Sequence, residues 1–274
     1  MRIVGLALVG CFLSVIVFNT YSFAEETKKE EPKRIEDNSF LIEEAYNQET
    51  GIIQHIQTFE YLKRTKTWLY TFTQEWPVGG QTHQLSYTIP VSHFGETADT
   101  GLGDIALNYR YQLIEGETVA LAPRFSLILP AGDYKKGMGT GAYGYQSNIP
   151  LSLAISGKLV THWNAGATYT AGSKEPGGLK ADTLGYNLGA SFVWLVSENF
   201  NLLTEAAWNS LDVVQADGSK KKSETFFINP GMRFALNYKS GLQVVPGLAF
   251  PIGVGESKNE YGVFFYLSFE HPLL

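Results

Sequence analysis

The chain has 274 residues, of which 44% are hydrophobic, 14% aromatic and 18% charged, with a net charge of −6 and one cysteine. The charged fraction lies below the roughly 25% of ordinary soluble domains, and the aromatic fraction is too high for a disordered chain. A pI of about 5.4 argues against a nucleic-acid binder, and a lone cysteine excludes a disulfide framework or a cysteine-based zinc site.

Residues 1–24 have the form of a cleaved secretory signal. Met1-Arg2 supplies a short basic start, Ile3 to Phe18 is an apolar run, and Ser22-Phe23-Ala24 places small residues before a cleavage point at Glu25. Two alternatives compete. Leu8-Val9-Gly10-Cys11 resembles a lipoprotein box that would lipidate Cys11, although it comes early in the run. A retained anchor helix would need about 20 apolar residues, more than this run has.

Residues 25–50 form an acidic leader with nine acidic and four basic residues. Its first half reads as solvated, disordered chain on the periplasmic side, and Phe40 to Tyr46 is expected to form one or two helical turns. Residues 51–274 then carry 16 basic against 18 acidic residues, so most of the charge imbalance precedes them.

From Gly51 onward the dominant signal is alternation with a period of two. Trp68, Tyr70 and Phe72 oppose Thr71, Thr73 and Glu75; Ile105, Leu107, Tyr109 and Tyr111 oppose Asp104, Asn108, Arg110 and Gln112. Twelve such segments can be counted, with 10 or 14 as alternatives because Pro123, Pro150, Pro230 and Pro246 interrupt them and are expected to mark bulges or places where the wall is thin in hydrogen bonds. The breaks between segments alternate short and long, as in PVGGQT, SHFGETADTG, IEGE and PAGDYKKGMGTGAYGYQ. The stretches 172–183 and 210–224 count among the long loops, and the early break LKRTK is short where a long one is expected. This pattern predicts an all-β, antiparallel up-and-down transmembrane barrel with both termini on the short-turn side. The polar face carries Asn, Ser, Thr, Gly and Gln but no Lys, which suits a confined lumen better than a surface washed by bulk water. Trp and Tyr near the segment ends suit interfacial girdles.

The run TGLGDIALNYRYQL at 100–113 resembles the outer-membrane barrels grouped as the MetA-pathway phenol-degradation family. LILPAGD (127–133), GTGAYGYQSNIPLS (139–152), FLIEEAYNQETGIIQHI (40–56) and FTQEWPVGGQTHQLSYTIP (72–90) also look like that family. The resemblance spans most of the chain after residue 24. It implies a transporter-type barrel in the outer membrane that passes small, hydrophobic or aromatic compounds. The implied partners are outer-membrane lipid, lipopolysaccharide, the barrel-assembly machinery and an unidentified solute, with no nucleic acid. One departure is the C-terminus, which ends Phe269-Glu270-His271-Pro272-Leu273-Leu274 rather than on an aromatic residue.

Candidate site residues are the charges of the polar face: Asp104, Arg110, Arg124, Glu205 and Arg233, with Glu75 a weaker sixth. A charge facing lipid costs about 2–4 kcal/mol at mid-bilayer, so these are expected to face the lumen. There they either select solutes at a constriction or form a salt-bridged network that props the lumen shut, and Arg110 and Arg124 are placed to share one acidic partner. Gly139 to Gly144 fits GxGxxG, but a strand follows it rather than a helix, so it reads as a loop and not a dinucleotide site. Histidines 55, 83, 93, 162 and 271 lack metal-ligand spacing, and no cofactor or metal is expected. Lys220, Lys221 and Lys222 read as a basic loop tip, either solvated or facing lipopolysaccharide phosphates. No catalytic constellation is evident, so an enzyme is not expected. The expected function is passive passage of small molecules. The alternatives are a structural barrel with a closed lumen and a soluble periplasmic binding barrel.

Overall fold

The computed structural model describes residue 35 and residues 38–95 and 99–273. The expected signal, residues 1–24 with Cys11, and the first half of the acidic leader lie outside the described residues. The chain forms one closed antiparallel barrel of twelve strands. These are β1 (Ile52–Leu62), β2 (Thr67–Pro77), β3 (His83–His93), β4 (Thr100–Leu102 and Ile105–Tyr111), β5 (Val119–Leu121 and Arg124–Leu129) and β6 (Gly144–Ser156). Then follow β7 (Leu159–Lys174), β8 (Lys180–Ser197), β9 (Phe200–Val214), β10 (Lys220–Phe234), β11 (Gln243–Ala249) and β12 (Gly262–Pro272). Each strand pairs with the next, and β12 closes on β1 from Ile52↔Pro272 to Leu62↔Gly262. Closure leaves no open edge, which is what a sheet in hydrocarbon requires.

The alternation places the apolar set outside. Trp194 and Ile155 are each 59% exposed, and Phe125, Ile149, Leu188 and Phe265 also project from the wall. The inward set includes Gln54, Gln84, Asn148, Ser191 and Asn229, all buried. An apolar outer face and a polar inner one is the reverse of a soluble ligand-binding barrel, and it overturns the periplasmic binding-barrel alternative.

Three expectations need correction. The stretches 172–183 and 210–224 are not long loops. β7 and β8 continue to a five-residue turn at 175–179, and β9 and β10 to one at 215–219. Lys220, Lys221 and Lys222 therefore lie in a strand, opposite Val214, Val213 and Asp212, and Asp212 pairs with Lys220 (3.2 Å) and Lys222 (3.4 Å). The strands outrun the bilayer, and once in water a strand tolerates lysine. The register shifts also avoid the central prolines: they fall at 154/156, 181/183 and 195/197, whereas Pro150, Pro230 and Pro246 stay in register. Only at Pro123 is its strand interrupted. Finally, Phe40 to Tyr46 form no helical turn. These residues are largely buried, because the segment enters the barrel rather than remaining in a solvated leader.

The short break LKRTK also has a structural reason. The buried carboxylate of Glu260, from the loop before β12, accepts the N–H groups of Arg64 (2.7 Å) and Thr65 (3.0 Å). It satisfies the turn that a longer loop would otherwise have to complete.

Candidate functional site

Residues 38–48 cross the lumen near the short-turn end and form its floor. The hydrogen bonds of their backbone groups run to side chains of the wall. Buried backbone groups must pair somewhere, and here the inward side chains of the wall supply the partners. Glu43 N–H donates to Asn164 Oδ1 (2.9 Å), Ala45 N–H to Ser152 Oγ (2.8 Å) and Asn47 N–H to Gln112 Oε1 (2.7 Å). These alternate residues face β7, β6 and the residue just after β4 in turn. Gln48 N–H donates to Gln84 Oε1 on β3 (2.7 Å) before the chain turns into β1. Return bonds run from Asn164 Nδ2 to the Glu43 carbonyl (2.9 Å) and from Gln112 Nε2 to the Ala45 carbonyl (2.7 Å).

Four of the five sequence-predicted site residues touch this segment. Glu205 Oε1 accepts three consecutive N–H groups, from Phe40 (2.9 Å), Leu41 (2.8 Å) and Ile42 (3.1 Å), while Oε2 accepts from Asn229 Nδ2 (2.8 Å). Arg233 Nη1 donates to the Asn38 carbonyl. Arg110 donates from Nε to Asn47 Oδ1 (2.8 Å) and from its two Nη atoms to the carbonyls of Glu44 and Tyr46. Arg124 forms a fork on Glu43, with Nε 2.9 Å from Oε2 and Nη2 2.7 Å from Oε1. The two arginines do not share one hydrogen-bonded acid: Arg124 takes Glu43, while the nearest ion-pair oxygen to Arg110 is on Glu75 at 3.9 Å.

Asp104 lies elsewhere. Its carboxylate accepts from Gly132 N–H (3.0 Å), Thr140 N–H (2.7 Å) and Thr140 Oγ1 (2.8 Å). It anchors the loop that contains the glycine-rich stretch at the long-loop end, and the floor does not involve it.

The polar reading of the inner face missed an apolar sector. Val193, Leu203, Val245, Ala249, Phe264, Tyr266 and Ile56 point inward from β8, β9, β11, β12 and β1 and cluster with Phe40. The Phe40 ring centroid lies 5.7 Å from that of Phe264 and 5.4 Å from that of Tyr266. Gly231 and Gly247 make room for it: a Cβ on Gly231 would stand 2.6 Å from Phe40 Cε2. A signal for this sector was present in the apolar runs Phe192 to Val196 and Val263 to Leu267, where both faces are hydrophobic.

Above the floor, toward the long-loop end, the lumen holds a vestibule of about 400 Å³. Ile56, Leu69, Phe264 and Tyr266 give it apolar patches. Thr58 and Thr71 (2.6 Å) and Thr73 and Thr88 (2.9 Å) line it with paired hydroxyls. On the outer face a separate hollow of about 580 Å³ lies over Ala165, Ala190 and Ala206 between Trp163 and Trp208. Its lining contains none of the four wall prolines. Among the described residues no group of three or more His, Cys, Asp or Glu side chains is placed to hold a metal.

The family model described as "Putative MetA-pathway of phenol degradation" matches residues 32–254. The chain belongs to this family. The match begins upstream of the lumen segment and covers the floor and the wall through β11. Two solved structures share the architecture. An outer-membrane channel from Pseudomonas putida F1 is 12% identical, with 83% of this chain and 97% of that one covered and a TM-score of 0.62. The NanC porin is 10% identical, with 80% of this chain and all of that one covered and a TM-score of 0.52. At these identities the likeness establishes the outer-membrane barrel fold. A search of curated proteins returns no match.

Proposed function

We propose that this protein is an outer-membrane channel for small molecules whose lumen is closed by its own segment 38–48. The observation that carries the reading is the triple contact of Glu205 with the backbone of Phe40, Leu41 and Ile42. The backbone of the segment is held by side chains that solvent can replace, not by a β-ladder, so it can leave without breaking the wall. A vestibule of about 400 Å³ with apolar and hydroxyl surfaces suits a solute of one or two rings, in keeping with hydrophobic or aromatic cargo. A permanently closed structural barrel is the competing reading, and the floor alone would serve it equally. The vestibule favours the channel, because a barrel that only presents loops has no use for a cavity above its floor. In the closed state Arg110, Arg124, Glu205 and Arg233 act through the segment they hold.

The test is a tether. Ser39 Oγ and Ser191 Oγ lie 2.7 Å apart, so the pair Ser39→Cys and Ser191→Cys, with Cys11→Ser, will lock the floor to β8 when oxidised. Oxidised protein in planar bilayers should show no solute-sized conductance, reduction should restore intermittent opening, and deletion of residues 38–48 should give a steadily open pore. If the deletion conducts no better than the full chain, the channel reading fails.

A further inference from the structure

Arg124 is the one cationic side chain among the described residues that line the vestibule. Its guanidinium is fixed to the wall from three strands: Nη1 donates to Asn108 Oδ1 (3.0 Å) and to Ser126 Oγ, and Nη2 donates to Gln146 Oε1 (2.9 Å). What remains is a fork, Nε and the other Nη2 hydrogen, aimed at a carboxylate, with Asn148 Nδ2 (3.0 Å from Glu43 Oε1) as a third donor. This is the bidentate geometry by which arginine recognises carboxylates. The wall therefore holds a preformed carboxylate receptor, and its occupant, Glu43, belongs to the segment that must move for the lumen to open. The apolar surface of Ile56, Phe264 and Tyr266 adjoins the same cavity.

We propose that an amphipathic organic monocarboxylate is a ligand of the vestibule, its carboxylate taking the Arg124 fork in place of Glu43 and its apolar body extending into the cavity toward the patch on β1 and β12. This rests on the reading of residues 38–48 as a movable floor. The coupling follows from linkage: a ligand that binds only where Glu43 has left stabilises the displaced state in proportion to its occupancy. Glu60 and Glu75 also line the cavity, and Glu75 already faces Arg110. With one guanidinium on the lining, the site has a partner for one carboxylate, which limits it to monoanions.

The experiment records single-channel opening of the full chain with benzoate, and with benzyl alcohol as the neutral probe of similar size, added at the long-loop side. Benzoate should raise open probability at concentrations at least about tenfold lower than benzyl alcohol, since a charge-assisted pair is worth about 1.5–3 kcal/mol. Glu43→Gln should shift the benzoate response to lower concentration, and Arg124→Gln should erase the difference between the probes. Equal responses to both probes, or a benzoate preference that survives Arg124→Gln, would overturn the proposal. The oxidised Ser39→Cys/Ser191→Cys tether separates the two levels of inference. If the tether controls conductance and benzoate does nothing, the movable floor stands and the carboxylate site falls. If the tether has no effect, the floor reading itself is lost.

Discussion

Phe40 and Glu43 lie three residues apart on one segment, yet the walls they meet differ in kind. Phe40 enters a sector of Val245, Phe264, Tyr266 and Leu203, where contact is non-directional and scales with buried area. Glu43 and the residues after it meet Arg124, Asn164, Ser152 and Gln112, where each bond has a fixed donor and acceptor. The two sectors contribute differently. Water entering an opened lumen can replace the polar partners at small net cost, so the polar sector mainly sets the path and register of the segment. Water cannot replace the apolar contacts, so the Phe40 side supplies most of the hold.

That division can be broken first at its strongest point. Phe40→Ala should cost about 3–5 kcal/mol of docking, the range for a buried phenylalanine truncated to alanine. The floor should then be displaced much of the time. Limited proteolysis within residues 38–48 should accelerate by at least about a hundredfold, in step with a rise in open probability. A Phe40→Ala protein as resistant as the parent would show that the polar sector holds the floor unaided.

The polar side gives the next, smaller effect. Glu43→Gln removes the charge from the Arg124 pair while leaving a carbonyl to accept, so the expected loss is about 1–2 kcal/mol, below the Phe40 truncation. Opening should rise about tenfold with no change in the conductance of the open pore. If Glu43→Gln opens the channel more than Phe40→Ala does, the ranking of the two sectors is reversed.

The same comparison explains what could be read from the residues alone. A wall with lipid on one side and polar side chains on the other alternates strictly, and strands such as Ile105 to Tyr111 state their facing outright. Where the lumen is apolar both faces are hydrophobic, the period vanishes, and Val193, Leu203, Val245 and Phe264 passed as filler between outward residues. The floor was harder still. Residues 38–48 hold themselves by backbone bonds to distant side chains, which leave no periodicity in the segment, so Phe40 to Tyr46 read as a short helical stretch at the end of an acidic leader. The inward charges were legible because no charge in a membrane wall is neutral to its facing, but which of them meet one another depends on that unread segment. Asp104 shows the limit: it shares their face, yet it serves a loop.

The smallest effect belongs at the opposite end, where one carboxylate ties two loops and neither sector of the floor takes part. Burial alone would raise the pKa of Glu260, but the N–H groups of Arg64, Thr65 and Tyr261 outweigh it and hold the carboxyl below its ordinary value of 4.5. A carboxylate with a lowered folded pKa contributes stability that is complete above its unfolded value and is lost as pH falls through the folded one. The clamp on the β1–β2 turn is therefore expected to stay intact from neutral pH to about pH 5, a little above the unfolded carboxylate value, and to loosen only in stronger acid. Hydrogen exchange at the Arg64 and Thr65 amides, corrected for intrinsic rates, should show constant protection across that range in the parent. Glu260→Gln should show weaker protection at every pH, because the neutral amide accepts less strongly. Channel closure should be unchanged in this variant. If it instead opens the pore, the rim and the floor are coupled, and the contrast between the two sectors would have to include the loops above them.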